Sequence, residues 1–267
     1  MAFVERSEID GRPASTDDLR RLAMFNYGHF TTLQVREGHV RGLGLHLQRL
    51  QQASLELFGQ GLGESELRQA MRHILVDTPN ATLRINVFCR DSAAVLRGES
   101  VEPAVMVTLR APNETAGMPL RLRTFRYERE PAQLKHVGTL GQLYFMRQAR
   151  LDGFDDALFV HASAGISEGS IWNIGFYDAH DVIWPDAPVL HGVTQQLLEA
   201  GLRQAGVPQS RRRIEPGRFE SLRGAFALNS STVAQPIAQI DDVRLEIDPA
   251  WLERLRQCYE GQPPEPI

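Results

Sequence analysis

Apolar and polar residues in the first half of the chain alternate with the period of a strand in some segments and of a helix in others. HFTTLQVREGHVRGL predicts two short strands around a turn, with Glu37-Gly38 at the tip. GLHLQRLQQASLELFG predicts a helix that ends at its last glycine. The apolar face of that helix is formed by Leu47, Leu50, Ser54 and Leu57. ESELRQAMRHIL predicts a second helix, and TLRINVFC and PAVMVTL predict strands.

The second half of the chain shows the same mixture of periods. LRLRTFRYE alternates apolar and basic residues and predicts a strand. The helix expected after residue 135 has an apolar face that includes Leu140, Leu143, Tyr144 and Leu151. Further strands are predicted in FDDALFV, SIWNIGFYD, DVIWPD, GAFALNSS and VAQPIAQI, and further helices in GVTQQLLEAGLRQAG and PAWLERLRQCYEG.

The segment APNETAGMP, residues 111–119, has the Pro, Gly and Asn content of a linker. We therefore expect a small N-terminal α/β domain over 1–113, a linker over 114–118 and a larger C-terminal mixed α/β domain over 119–267. Because strands and helices are mixed in both halves, the expected fold class is α/β (α+β).

Composition narrows the classes of function. The 267 residues are 42% hydrophobic and 23% charged, with a net charge of −4, which argues against a nucleic-acid partner. No apolar run reaches the length of a membrane span, and the N-terminus lacks the apolar core of a signal peptide, so we expect a cytoplasmic protein with no membrane partner. Cys89 and Cys258 are far apart and fit no metal or redox spacing.

Several catalytic motifs are absent or lie in the wrong context. GISEG, residues 165–169, matches the G-x-S-x-G nucleophile elbow through Ser167, but a strand-like run follows where the elbow needs a helix. The eight histidines show no zinc spacing, and no glycine-rich phosphate loop follows a strand. We therefore expect no metal site, and a serine hydrolase is a minor alternative.

Lys135, in QLKHVGTLGQL, is the only lysine in the sequence. The 29 basic residues comprise this lysine and, by subtraction, 28 arginines. A coding bias toward arginine would explain the count without any function. The functional interpretation is that an amine can lose its proton and attack a carbonyl, whereas a guanidinium stays protonated.

Six segments around Lys135 favour the functional interpretation. They are NYGHFTTLQV, HLQRL, LKHVGTLGQLYFMRQA, FDDALFVHASAGISEGSIWNIGF, LHGVTQQLL and LNSSTVAQPI. In content and order they resemble the motifs of class IV aminotransferases, the fold-type IV pyridoxal-phosphate enzymes. That family includes branched-chain and D-amino-acid aminotransferases and aminodeoxychorismate lyase. The resemblance spans about residues 26–240 and implies pyridoxal 5′-phosphate as cofactor and a two-domain fold.

The resemblance also implies roles for individual residues. Lys135 would form the imine with the cofactor and then shuttle the substrate proton, and Glu168 would pair with the pyridine nitrogen. The cofactor phosphate would be bound by Arg49, by Gly192, Val193 and Thr194 at a helix N-terminus, and by Ser230 with Ser231, which could instead contact substrate. Trp172 and Asn173 could support the ring.

The substrate side would be formed by the strand NYGHFTT. Phe30, Thr32 and Gln34 point the same way on a strand and could form one wall, with Tyr27 and His29 near the entrance. The sequence departs from the family after the lysine, where Gly138, Thr139 and Leu140 leave the contact to the cofactor 3′-oxygen unassigned. No arginine for the substrate carboxylate can be named from the sequence.

The expected activity is amino transfer between an amino acid or amine and a 2-keto acid. The alternative is an aminodeoxychorismate-type lyase that releases pyruvate, favoured by FTT, by the Lys-His pair at 135–136 and by the Asn-Ser pair at 229–230. A cofactor-binding protein without catalysis is a third hypothesis. The resemblance further implies a homodimer, because a neighbouring subunit usually completes such sites.

Overall fold

The computed structural model describes residues 4–113, 117–219 and 222–267. Its helices are α1 (Thr16–Met24), α2 (Leu43–Phe58), α3 (Glu64–Ile74), α4 (Ser92–Leu96), α5 (Leu140–Leu151), α6 (Val193–Gln204) and α7 (Pro249–Glu260). Within the described ranges, none of these helices is both long enough and apolar enough to cross a membrane.

The strands are numbered in the same way along the chain. They are β1 (Arg6–Ile9), β2 (Arg12–Pro13), β3 (Gly28–Val35), β4 (His39–Arg41), β5 (Ala81–Cys89), β6 (Pro103–Arg110), β7 (Leu120–Arg126), β8 (Asp156–His161), β9 (Gly165–Gly169), β10 (Asn173–Tyr177), β11 (Val182–Pro185), β12 (Gln209–Arg212), β13 (Gly224–Leu228), β14 (Gln235–Ile240), β15 (Val243–Arg244) and β16 (Pro264–Pro266).

One compact unit is formed by Met1–Glu114 together with Leu134–Gly138 and Pro264–Ile267. Its antiparallel sheet has the order β2-β1-β6-β5-β3, and β16 pairs separately with β4. The turn predicted at Glu37-Gly38 is confirmed, because both residues have the positive φ angles, 51° and 73°, of a tight hairpin turn.

Helices α2 and α3 contribute to the core of this unit. Leu47 and Leu50 of α2 and Met71 of α3 are buried together with Leu33 of β3 and Leu83 of β5. The helical period that predicted α2 therefore marked the face that is buried. Its end is also as predicted, since Gly59 caps α2 in the left-handed conformation.

The segment Leu134–Gly138 continues the β3 edge of the same unit. The Phe30 N–H donates to the Lys135 carbonyl at 2.9 Å, and the Val137 N–H donates to the Gly28 carbonyl at 3.0 Å. His29 and His136 are partners in this short antiparallel bridge. The backbone on both sides of the single lysine is thereby fixed to the start of β3.

The second compact unit comprises Thr115–Gln133 and Thr139–Pro263. Its sheet has the order β12-β11-β10-β13-β14-β7-β8-β9, with β15 beside β14. A further pairing of β9 with β10 closes six of these strands into a ring. Helix α5 packs on this sheet through Phe145 and Ala149, which belong to a cluster with Phe125 and Phe159.

The mixed α/β (α+β) class expected from the sequence is confirmed. The domain boundary at 114–118 stays a prediction, because residues 114–116 lie outside the described ranges. GISEG forms no nucleophile elbow, as its sequence context indicated, because these residues form β9. The Ser167 hydroxyl donates to the Phe159 carbonyl at 3.2 Å.

Candidate active site

In the first unit, the Lys135 side chain lies close to the Phe30 ring. The Lys135 Nζ atom is 5.0 Å from the ring centroid. The backbone hydrogen bond from Phe30 to Lys135 fixes the position of the lysine Cα, from which the side chain extends. Phe30 is 8% exposed. The amine therefore lies at the wall that the sequence assigned to substrate.

Arg84, on the neighbouring strand β5, also contacts the Phe30 ring. Its guanidinium carbon is 3.6 Å from the centroid of the Phe30 ring, and its Nε donates to Asn86 at 3.0 Å. Burial, together with the nearby positive charge of Arg110, lowers the pKa of Arg84 from 12.5 to about 10. Among the described residues no carboxylate forms an ion pair with Arg84.

The β3–β5 register explains how Arg84 comes to this position. Thr32 is paired with Arg84 and Gln34 with Thr82, whose hydroxyl donates to the Gln34 side-chain oxygen at 2.9 Å. Because paired residues share a sheet face, Thr32, Gln34 and Arg84 lie on the face that carries Phe30. This wall is more polar than its sequence suggested.

The structure does not bring Tyr27 and His29 to the same wall. The Nε2 atom of His29 is 2.9 Å from the Ser54 hydroxyl of α2, and the side chain is 1% exposed. The Tyr27 hydroxyl donates to the Leu57 carbonyl at 2.9 Å, also on α2. His29 is on the opposite face of β3 from Phe30, because successive side chains on a strand alternate. The expectation that Tyr27 and His29 lie near the substrate entrance stays a prediction.

Arg49 belongs to a buried polar group in the first unit. Its Nη2 atom donates to the Thr31 hydroxyl and lies 3.3 Å from His46 Nδ1. The Thr31 hydroxyl is 2.7 Å from the same histidine nitrogen. Burial, and then the charges of Arg49 and Lys135, lowers the pKa of His46 well below 6.5. Arg49 is thus held beside a neutral histidine.

In the second unit, Glu168 on β9 lies beside a buried arginine. Its Oε1 atom is 3.8 Å from Arg129 Nη1, and the two side chains are 8% and 4% exposed. Arg129 also donates to the Ala132 carbonyl at 2.7 Å. Burial lowers the pKa of Arg129, an effect that the negative charge of Glu168 opposes. Both residues line a cavity of about 230 Å³, together with Tyr127, Phe159, His161 and Ser167 among others.

Asn173 contacts three parts of the second unit: Glu168 on β9, the end of β13, and the loop before Gly192. It is paired with Glu168 on β9 and with Leu228 at the end of β13. Its side-chain Nδ2 donates to the Leu190 carbonyl at 2.7 Å, and the Leu190 N–H donates to Glu168 Oε2 at 3.2 Å. Glu168 and the loop before Gly192 are therefore held together by hydrogen bonds.

A side chain at Gly192 would displace the Asn173 side chain from its hydrogen bond with the Leu190 carbonyl. A Cβ atom on Gly192 would lie 2.2 Å from the Asn173 Oδ1 atom. Helix α6 begins at Val193, Thr194 follows at 4% exposed, and Gly192 supplies no side-chain cap. The amides of the first turn are thus arranged as in anion sites at helix N-termini.

Ser230 and Ser231 lie in the turn between β13 and β14. The Asn229 side-chain oxygen accepts from the Ser231 N–H at 2.8 Å and from the Thr232 N–H at 3.0 Å. Both serines are half-buried. Because Asn173 is paired with Leu228, this turn begins next to the strand that carries Asn173.

Sequence reasoning missed four residues: Arg84, Asn86, His46 and Arg129. Arg84 and Asn86 occupy alternate positions of a strand that otherwise carries branched apolar residues, which is a detectable signal. His46 lies inside the quoted HLQRL segment, and its contact with Arg49 follows from helical spacing. Arg129 had no sequence signal that sets it apart from the other arginines.

Trp172 supports the β9–β10 turn. Its indole N–H donates to Asp156 at 2.9 Å, and its ring covers Gly169, where a Cβ would be 2.1 Å from the ring. The turn that follows Glu168 is therefore closely packed.

Comparisons with solved structures show the same fold at low identity. An Escherichia coli branched-chain amino acid aminotransferase has a TM-score of 0.81 and 16% identity, over 96% of this chain and 93% of that one. A candidate 4-amino-4-deoxychorismate lyase from Legionella pneumophila has 0.78 and 20%, over 94% and 96%. A hypothetical aminotransferase from Mycobacterium tuberculosis, in a form with bound pyridoxal phosphate, has 0.79 and 20%, over 97% and 100%.

The family itself is identified from the sequence match. The model of the family described as amino-transferase class IV matches residues 28–240, well over half of the chain. This range contains Lys135, Arg49, Glu168, the Gly192–Thr194 loop and the Ser230–Ser231 turn. The chain is an enzyme that belongs to the class IV aminotransferase family.

Proposed function

We propose that this enzyme is a pyridoxal-phosphate-dependent aminotransferase that moves an amino group between an amino acid or amine and a 2-keto acid, with Lys135 as the catalytic amine. The observation that carries the proposal is the position of Lys135 Nζ at the Phe30 wall, 5.0 Å from the ring centroid, in a chain of this family. Its backbone is held by β3, so the amine starts from a fixed point.

The residues present fit pyridoxal 5′-phosphate. Helix α6 begins at Val193 with no side-chain cap from Gly192, and the free amides of such a helix terminus suit a phosphate. Thr194, Arg49 and the Ser230–Ser231 turn would add further donors to the phosphate. Glu168 would hold the ring, because a buried carboxylate is the partner that a protonated pyridine nitrogen needs.

When bound, the cofactor supplies an electron-accepting ring that stabilises negative charge at the substrate carbon. Lys135 Nζ would take the proton from that carbon and return it at the neighbouring position. Glu168 would hold the proton on the pyridine nitrogen, and Arg129, 3.8 Å away, would compensate part of the charge of Glu168. Hydrogen bonds through Leu190 join Asn173, Glu168 and the loop before Gly192, and would keep Glu168 in place beside the ring.

We propose Arg84 as the residue that binds the substrate carboxylate. It lacks a described carboxylate partner, and its half-buried guanidinium lies 3.6 Å from the Phe30 ring. A guanidinium fork matches a carboxylate in two parallel hydrogen bonds. Phe30, Thr32 and Gln34 would line the same side and contact the rest of the substrate.

A second candidate activity is the release of pyruvate from aminodeoxychorismate. The Asn229 side chain supports it, because it shapes the turn of Ser230 and Ser231 in place of the Gly-Thr-Ala sequence common in aminotransferases.

Purified enzyme should be incubated with amino donors, with and without pyruvate or 2-oxoglutarate. Amine exchange that depends on a keto acid supports the aminotransferase, whereas pyruvate release from aminodeoxychorismate without an acceptor supports the lyase. Bound cofactor with neither reaction would support a protein that no longer catalyses, and no binding of the cofactor would overturn all three.

We also propose that the enzyme works as a homodimer. Leu140, Leu143, Tyr144 and Leu151 form an apolar stripe on α5 and are 81%, 48%, 53% and 62% exposed. A second copy of the chain would bury this stripe. Light scattering should give a dimer mass for the wild type and a monomer for Leu143→Glu with Tyr144→Glu; a monomeric wild type would contradict the proposal.

The cytoplasm is the proposed location. Cys89 and Cys258 are both free and buried, as expected for a protein kept in a reducing compartment. Fractionation of cells that express the protein tests this, and recovery in a secreted fraction would contradict it.

A further inference from the structure

His46, Thr31 and Arg49 form a closed triangle of polar contacts in the first unit. The Thr31 hydroxyl on β3 is 2.7 Å from His46 Nδ1, and Arg49 Nη2 is 3.3 Å from the same nitrogen. Arg49 Nη2 also donates to the Thr31 hydroxyl. His46 and Arg49 are three residues apart on α2, so their side chains are neighbours on the helix surface.

The donors and acceptors of this triangle have one consistent arrangement. A guanidinium only donates, so His46 Nδ1 must accept from Arg49 and its ring proton must be on Nε2. The Thr31 hydroxyl then accepts from Arg49 and donates its own proton to Nδ1. A protonated His46 would present an N–H to the Arg49 donor and would break the arrangement.

The surroundings favour the neutral histidine. The His46 side chain is 3% exposed. The charged groups that act on it are Arg49 on its own helix and Lys135 on the segment Leu134–Gly138, both of them cations, while its β3 neighbour Thr31 is uncharged. Burial and these two charges lower the pKa of His46 well below its ordinary value. The ring is therefore an acceptor throughout the neutral pH range.

We infer that His46 is a positioning residue whose Nδ1 acceptor, together with the Thr31 hydroxyl, fixes the Arg49 guanidinium for the cofactor phosphate. The inference rests on the proposed function, since Arg49 is there assigned to that phosphate. With one amino group of Arg49 held by two acceptors, the side chain loses little conformational freedom when the phosphate binds. His46 itself needs no contact with the cofactor.

The test is the preference of the apoprotein for pyridoxal phosphate over pyridoxal, which lacks the phosphate. Dissociation constants for both are measured by absorbance titration for the wild type, His46→Phe, His46→Asn and Thr31→Val. We expect His46→Phe to reduce the preference roughly 10-fold, as expected for loss of one charge-assisted hydrogen bond. His46→Asn should keep it within about 3-fold, because the amide oxygen can replace Nδ1 as acceptor.

A matched control separates positioning from general damage to α2. Ser54 is also on α2, and its hydroxyl is 2.9 Å from Nε2 of a buried histidine on β3, His29. Ser54→Ala removes this contact and changes none of the three residues of the triangle. It should lower the unfolding temperature without changing the preference for the phosphate. An unchanged preference in His46→Phe overturns the inference; should that variant fail to fold, an unchanged preference in Thr31→Val overturns it equally. A wild type that binds neither compound would instead overturn the proposed function.

Discussion

Lys135 Nζ lies 5.0 Å from the centroid of the Phe30 ring. The same ring is in contact with the Arg84 guanidinium, whose carbon is 3.6 Å from the centroid. An amine that can react with a carbonyl and a cation that can bind a carboxylate therefore lie at one aromatic side chain. These are the two groups on which the proposed aminotransferase site depends.

Replacement of Lys135 should abolish covalent attachment of the cofactor. Lys135→Ala is expected to lower the rate of amine transfer about 10²- to 10⁴-fold or more, because the group that moves the proton is lost. Borohydride reduction of the wild type with pyridoxal phosphate should add the cofactor mass to the peptide that contains Lys135. Lys135→Arg keeps the cation and should be equally inactive; labelling of a different peptide in the wild type would disprove the assignment.

Replacement of Arg84 should weaken the binding of substrates that carry a carboxylate. Loss of a charge-assisted hydrogen bond costs roughly 1.5–3 kcal/mol, so Arg84→Leu is expected to reduce kcat/KM for amino acids about 10- to 100-fold. Amine donors without a carboxylate should be nearly unaffected.

Arg110→Leu is the matched control for Arg84, since Arg110 is an exposed arginine on the neighbouring strand β6. Steady-state kinetics with an amino acid and with a simple amine separate the two variants. An equal loss for both donors in Arg84→Leu would mean that Arg84 does not recognise the carboxylate.

Removal of Arg129 should destabilise the apoprotein through Glu168. The two charges are 3.8 Å apart and their side chains are 4% and 8% exposed. Breaking such a buried pair costs about 3–5 kcal/mol, because the remaining charge is left in a poorly solvated place. Urea unfolding of Arg129→Met measures this loss. In the double variant with Glu168→Gln much of the loss should be recovered, and strictly additive losses would show that the pair is not coupled.

Acid should destabilise the fold through His29 and His46. Burial lowers the pKa of His29 from 6.5 to about 3 and that of His46 well below 6.5. Between pH 6.5 and the lowered pKa values of the folded protein, the unfolded chain binds protons at these positions and the folded chain does not. The free energy of unfolding therefore falls as the pH is lowered through this window. Each histidine contributes a slope of about 1.4 kcal/mol per pH unit in that window and nothing above it.

Urea unfolding at several pH values between about 5 and 7.5, on the two sides of the ordinary histidine pKa, measures this dependence. His29→Gln should lose the share of the slope that His29 contributes. If the variant keeps the full slope of the wild type, the acid sensitivity has another origin.

Local periodicity predicted many elements of the fold because helices and strands bury one face of a repeating pattern. Helix α2 illustrates this, since Leu47, Leu50 and Ser54 are buried as their spacing predicted. The same reasoning identified the stripe on α5 but not its environment. Leu140 is 81% exposed, while Gln142, Phe145 and Ala149 face the sheet. Apolar residues mark a surface to be covered, but the period does not say by what.

The sequence by itself determined the single lysine and the order of the motifs around it, because chemical identity and spacing are properties of the chain. Only the tertiary structure decided which neighbours those residues have. The β3–β5 register put Arg84 beside Phe30, and the alternation of β3 sent His29 to the opposite face. Arg129 reached Glu168 through a loop whose path no local pattern specifies. Contacts between residues far apart in sequence depend on packing and pairing, and these are set by the fold as a whole.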